Sequence, residues 1–210
     1  LEQRGLAGTV GADHPEDVTG GDREVEGFEE GAVAVAACQA SVLVVACNTA
    51  STLALEALRQ ALAVPVIGTV PAIKPAAQVS TTRHIGLLAT SATVNRPYTQ
   101  GLIESFASDC RVTRLAADPL VVEAEAWLAG KPLNAAHIQQ ALAPLWEATQ
   151  ATPALDTVVL GCTHFPLLQP LLVSLSPVPL AWVDSGDAIA RRVGQVAATL
   201  ISSVPDGRCF

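Results

Sequence analysis

Hydrophobic runs punctuate this chain, and two of them share a pattern. Residues 42–51 read VLVVACNTAS and residues 157–166 read TVVLGCTHFP. Each opens with β-branched and aliphatic residues, the mark of a strand buried on both faces. Each run ends at a cysteine, Cys47 or Cys162, and a threonine follows within two residues. An apolar, helix-like segment comes next. The unit strand–cysteine–polar turn–helix thus occurs twice, far apart in the sequence.

The remaining positions alternate in the same way. Residues 29–40 form an alanine-rich helix candidate, and residues 42–47 the first clear strand. Thr49 or Ser51 is placed to cap a helix reaching residue 63, with Leu53, Leu55, Leu58 and Leu62 for its buried face. Residues 64–70 predict a strand that opens at Pro65, residues 72–80 a helix and residues 84–90 a further buried strand. After the Ser/Thr-rich turn 90–93, residues 96–107 predict a helix with Pro97 near its start. Residues 110–115 have the mixed polarity of an edge strand. Residues 134–149 predict one helix, with Ile138, Leu142, Leu145 and Trp146 on one face and a kink at Pro144. Strands over 156–162 and 180–184 and a helix over 187–202 complete the set. Strands alternating with helices predict an α/β fold with parallel sheets flanked by helices.

Composition narrows the chemistry. Half of the residues are hydrophobic, enough for a sizeable core. The formal net charge of −8 argues against a nucleic-acid partner. No apolar run is long enough to cross a bilayer, so no membrane partner is expected. The five cysteines show no CxxC spacing, so neither a disulfide framework nor a metal site is expected. A reducing cytoplasm is the natural setting for free thiols.

The repeated unit has a chemical meaning. A thiol at the C-terminal end of a parallel strand sits where open α/β sheets place their ligands. The following helix offers free N–H groups and partial positive charge, which lower a thiol's pKa and attract an anion. Two such thiols across a cleft suit racemisation, one removing a proton and the other delivering one to the opposite face. Cys38, Cys110 and Cys209 lack this context and read as small core residues. Asn48 and Thr49 fall in the first polar turn, where they serve either as substrate contacts or as caps. Thr163 and His164 fall in the second, and His164 is suited to exchanging a proton with Cys162.

ACNTAS at 46–51 and LGCTHFPLL at 160–168 resemble the two signature motifs of the glutamate racemases, in the cofactor-independent aspartate/glutamate racemase superfamily. VPVIGTVPAIKPA at 64–76, IGLLATSATV at 85–94 and VDSGDAIA at 183–190 are similar too, so the resemblance covers about residues 31–203. It implies two similar parallel-sheet α/β domains with the active site between them, residues 1–70 plus 185–210 and residues 71–184. It implies interconversion of L- and D-glutamate without a cofactor, Cys47 handling the D-isomer and Cys162 the L-isomer, with His164 assisting. Asn48, Thr49, Thr93, Thr163 and His164 are the implied substrate contacts. Glu125, and after it Glu123, is the implied auxiliary acid. D-glutamate for peptidoglycan is the implied purpose, and a homodimer the implied assembly.

Residues 5–27 differ from that family, being rich in Gly, Asp and Glu without apolar periodicity. Glutamate racemases open with a strand ending in Asp-Ser-Gly and carry a later Tyr-Gly loop, and neither motif is found here. A truncated N-terminus, or a shifted reading frame up to about Glu26, is the expectation. Aspartate racemisation, an impaired remnant that only binds an amino acid, and a thiol redox couple are the alternatives.

Overall fold

The computed structural model describes residue 35 and residues 37–202. Segment 5–27, most of the 29–40 helix candidate and Cys209 lie outside the described residues, although Val35 and Ala37 are helical. The described chain is α/β, with two all-parallel sheets. The first pairs β1 (Leu43–Val45) with β2 (Val66–Gly68), and α1 (Asn48–Ala61) connects them. The second contains β3 (His84–Ala89), β4 (Arg111–Ala116), β5 (Thr157–Leu160) and β6 (Ala181–Val183), in the order β4-β3-β5-β6. Between β2 and β3 lies α2 (Ile73–Val79). Between β3 and β4 lie the short α3 (Ser91–Val94) and α4 (Pro97–Phe106). Between β4 and β5 come α5 (Asp118–Leu128), α6 (Ala135–Ala141) and α7 (Ala143–Ala148). Helix α8 (Phe165–Leu175) leads to β6, and α9 (Gly186–Ser202) follows it.

Burial explains the sheet order. All residues of β3 and β5 are buried, as central strands of a covered parallel sheet must be. The mixed polarity of β4 fits its edge position. Ile85, Leu87, Ala89 and Val159 pack on one face with Ile73, Ala76 and Ile103. Leu88, Val158 and Leu160 pack on the other with Leu120, Leu142, Leu145, Phe165 and Leu168. Each of the larger side chains contributes about 1.5–3 kcal/mol by leaving water.

Asp156 fixes the entry to β5. Its Oδ1 accepts from Ser80 Oγ at 2.6 Å and Thr157 Oγ1 at 2.9 Å. Its Oδ2 accepts from Thr81 N at 2.7 Å, Thr81 Oγ1 at 2.9 Å and Thr82 N at 2.9 Å. Burial pushes this carboxyl up, but the five donors overrule it and hold its pKa well below the usual carboxylate range.

Several expectations need correction. Neither Thr49 nor Ser51 caps α1; Cys47 does, its sulfur accepting from Ala50 N at 3.5 Å. Thr49 and Ser51 are inside the helix, two and four residues past the cap. The buried residues of α1 are Asn48, Ser51, Ala54 and Leu55, whereas Leu53 is exposed. Leu58 and Leu62 are half-buried; among the described residues the sheet beside the helix has two strands. Segment 134–149 forms two helices meeting at Leu142, since Pro144 sits in the first turn of the second. Ile138, Leu142 and Leu145 are nonetheless fully buried. Cys38 is exposed and so is not a core residue, whereas Cys110 is half-buried and packs against the edge of the core.

Candidate active site

The C-terminal ends of parallel strands point to one region, and both thiols are found there. Cys162 lies two residues past β5, 7% exposed. Its sulfur is 3.6 Å from His164 Nδ1, and His164 Nε2 is 2.5 Å from Glu125 Oε1. A carboxylate accepts only, so the geometry favours the tautomer with the proton on Nε2. That leaves Nδ1 as an acceptor facing the thiol. Glu125 reaches the site from α5, and its side chain is 61% exposed, so the contact orients the ring more than it stabilises the fold.

The thiol of Cys162 departs from expectation. Burial pushes its pKa up, and the negative charges of Cys47 and Asp118 add to that. Hydrogen bonds from the backbone N–H groups of His164 and Phe165 oppose the rise without overcoming it. The helix start therefore acts as predicted but is outweighed by desolvation. The effect of Cys47 on Cys162 places the two thiols within electrostatic reach of each other.

Cys47 is exposed at the start of α1. Next to it Asn48 is 3% exposed, and its Oδ1 is buried without a partner. Thr49 Oγ1 lies 2.9 Å from Thr93 Oγ1 and 3.1 Å from Thr90 Oγ1, and the last two are 3.2 Å apart. This trio of hydroxyls joins the turn after β1 to the turn after β3.

A cavity of about 170 Å³ opens between these elements. Asn48, Thr69, Cys162, Thr163, Asp184 and Ser185 are among its walls. Asn48, Cys162 and Thr163 are thus brought to one space, with His164 and Glu125 behind Cys162. Thr93 is fully buried and meets the site through Thr49. Glu123 goes elsewhere: it accepts from Asn134 N at 3.0 Å and pairs with His137 Nδ1 at 2.7 Å. Those bonds, His137 first, hold its carboxyl below the usual range and tie α5 to α6. Two residues of helix turn it away from its neighbour Glu125. Thr69, Thr90, Asp184 and Ser185 were not singled out as site residues. Thr90 lies in the Ser/Thr-rich turn 90–93, Asp184 and Ser185 in the VDSGDAIA stretch at 183–190, and Thr69 in the stretch 64–76. Among the described residues, no group of three or more His, Cys, Asp or Glu is placed to hold a metal ion, and no helix is long and apolar enough to cross a membrane.

Known proteins resemble this chain in sequence and fold. The family model described as Asp/Glu/Hydantoin racemase matches residues 6–193. Its span reaches back into the irregular segment, beyond the stretch where motifs are recognisable. The glutamate racemase of Shewanella loihica is 52% identical over 160 residues, 76% of this chain and 58% of that protein. That of Pasteurella multocida is 52% identical over 163 residues, 78% of this chain and 58% of its own length. The chain therefore spans little more than half the length of these relatives. A crystal structure of Escherichia coli glutamate racemase, with L-glutamate and the activator UDP-MurNAc-ala, superposes with a TM-score of 0.76 at 43% identity. It covers 89% of this chain and 69% of that one. A glutamate racemase isoform from Bacillus anthracis gives 0.70 at 27% identity, covering 86% and 67%. On its sequence match and its parallel two-sheet fold, the chain belongs to the Asp/Glu/Hydantoin racemase family.

Proposed function

We propose that this chain carries the machinery of a glutamate racemase working by two thiols. The observation that carries the reading is the line Cys162–His164–Glu125 at a cavity that Cys162 lines together with Asn48, whose amide oxygen is buried and unpartnered. His164 Nδ1 takes the Cys162 proton, with Glu125 holding the Nε2–H. The Cys162 thiolate then removes the α-proton of L-glutamate: the C–H bond breaks, an S–H bond forms, and the electron pair spreads into the α-carboxylate. Cys47 delivers its proton to the opposite face, giving D-glutamate, and both thiols re-equilibrate with water. Asn48 Oδ1 accepts from the substrate ammonium, and Thr49 and Thr163 hydrogen-bond the carboxylates. Thr93 fixes Thr49.

A raised pKa suits Cys162 to this role. A thiolate formed only against burial is a stronger base, and a dry cleft spares the carbanion from premature protonation by water. The cavity lies between residues 43–70 with 185–202 on one side and residues 71–184 on the other, the two domains of this reading. D-glutamate supply for peptidoglycan in the cytoplasm is its physiological counterpart, supported by the named activity of the relatives. The test is chiral chromatography after incubation with L-glutamate or L-aspartate, using the parent chain, Cys47→Ser and Cys162→Ser. The reading requires D-glutamate from the parent and at least a thousandfold loss in each variant, roughly the span of a general acid–base group. Faster turnover of aspartate, or no racemisation by a folded chain, would overturn it.

A further inference from the structure

Two chain crossings connect the sheets. The first, residues 69–72, runs from β2 to α2, which packs on the second sheet and on α4. The second, residues 184–185, runs from β6 to α9, which packs back on β2. Ser185 Oγ donates to Val70 O at 2.5 Å. Among the described residues this is the one hydrogen bond joining the crossings.

Both sides of that bond are anchored. Thr69 N donates to Ser51 Oγ at 2.9 Å, and Thr69 Oγ1 donates to Val45 O at 3.0 Å. The first crossing is therefore fixed to α1, which begins at Cys47, Asn48 and Thr49. Beyond Ser185, Gly186 N donates to Asp184 Oδ1 at 2.6 Å, and Ile189 N donates to Ser185 O at 3.0 Å, opening α9. Ser185 and Ile189 line both the site cavity and a second cavity of about 230 Å³, and Ser185 is only half-buried. With cavity space beside Ser185, its hydrogen bond to Val70 is the direct link that sets how the two crossings lie against each other.

We propose that Ser185 is a positioning residue whose bond to Val70 clamps the two crossings and so fixes the gap between Cys47 and Cys162. The inference rests on the two-thiol reading of the site. A proton transfer between fixed thiols and an α-carbon is steeply sensitive to their separation, whereas binding to one wall is less so. Ser185→Ala removes the clamp and lowers kcat roughly ten- to a hundredfold, with KM changing less than about threefold. Ser185→Thr retains the hydroxyl and restores kcat.

A second readout is independent of catalysis. Nitroxide labels at Glu56→Cys on α1 and Val122→Cys on α5, both exposed positions, report the distance between the sheets by double electron–electron resonance. The background has the five native cysteines changed to serine, and melting curves check that each variant folds. The clamp predicts that Ser185→Ala broadens the distance distribution about twofold, as expected of a freed hinge, and that Ser185→Thr does not. An unchanged distribution with unchanged kcat overturns the proposal, as does a kcat loss that Ser185→Thr fails to rescue. If the parent chain does not racemise, the two-thiol reading falls and the distance distribution alone decides the clamp.

Discussion

Asp156→Asn tests how β5, and with it Cys162, is held in register. Asparagine keeps the shape but removes the charge. Its amide oxygen serves Thr81 N and Thr82 N, while its amide nitrogen donates to Ser80 and Thr157 hydroxyls that rotate to accept. The loss is then the charge assistance of five hydrogen bonds, each worth about 1 kcal/mol over a neutral bond. The carboxylate is half-exposed, so solvent screening reduces that sum to about 2 kcal/mol. The melting temperature should fall by roughly 4–8 °C. The pH dependence follows from the depressed carboxyl: its contribution is complete above the unfolded-state pKa of about 3.9 and is lost as pH falls toward the folded-state value. Urea unfolding followed by far-UV circular dichroism at about pH 7 and pH 3.5 measures both. The parent and variant should differ by about 2 kcal/mol at the higher pH and by roughly 0.7 kcal/mol less at the lower, where the unfolded carboxyl is mostly protonated and the folded one is still ionised. A difference under about 0.5 kcal/mol at pH 7, or one unchanged at pH 3.5, refutes the reasoning.

The other expectations concern the site. Glu125→Gln removes the acceptor charge behind His164 and should lower kcat/KM roughly ten- to a hundredfold, measured by circular dichroism of glutamate. Because enantiomers have an equilibrium constant of one, kcat/KM must fall equally in both directions; the asymmetry should appear as a larger primary deuterium isotope effect from the L-isomer, whose proton goes to Cys162. Gly161→Ala places a Cβ 3.0 Å from Ala89 Cβ and 3.1 Å from Leu88 O. It should cost about 1–3 kcal/mol in urea unfolding, with a loss of racemisation at temperatures where the chain remains folded. In a variant keeping Cys162 alone, iodoacetamide labelling should rise with a midpoint above the ordinary thiol value, since burial favours the neutral form. Labelling that is already half-complete at neutral pH would contradict it.

Much of this was legible in the chain because the residues concerned act locally. The run before Cys162 is apolar because both faces of its strand are covered, and β4 reads as an edge because it is one; the run before Cys47 reads the same way but Val44 is exposed and Leu43 and Val45 are only half-buried. The helix start was less legible: Thr49 and Ser51 suit a cap by residue type, but the backbone enters α1 earlier and places Cys47 there. Leu53 looks like a core residue by its type, but the face of α1 it occupies is not the one that carries the buried Ser51, Ala54 and Leu55. Resemblance led to Glu125 before Glu123, while the hydrogen bonds that separate them come from residues 11 to 39 positions away. The Asp156 cluster joins residues some 75 apart and the Ser185 bond residues 115 apart, distances at which periodicity carries nothing. The direction of the Cys162 shift depended on burial, which no motif states.

The central claim is that two thiols work from opposite faces of the α-carbon. The most direct measurement is proton NMR of L-glutamate in D₂O at early turnover, with Cys162→Ser alongside. The account predicts deuterium in the D-glutamate formed while the remaining L-glutamate keeps its α-proton, and no loss of that proton in Cys162→Ser. Deuterium appearing in the L-glutamate pool as fast as in the product, or exchange that survives in Cys162→Ser, would contradict it.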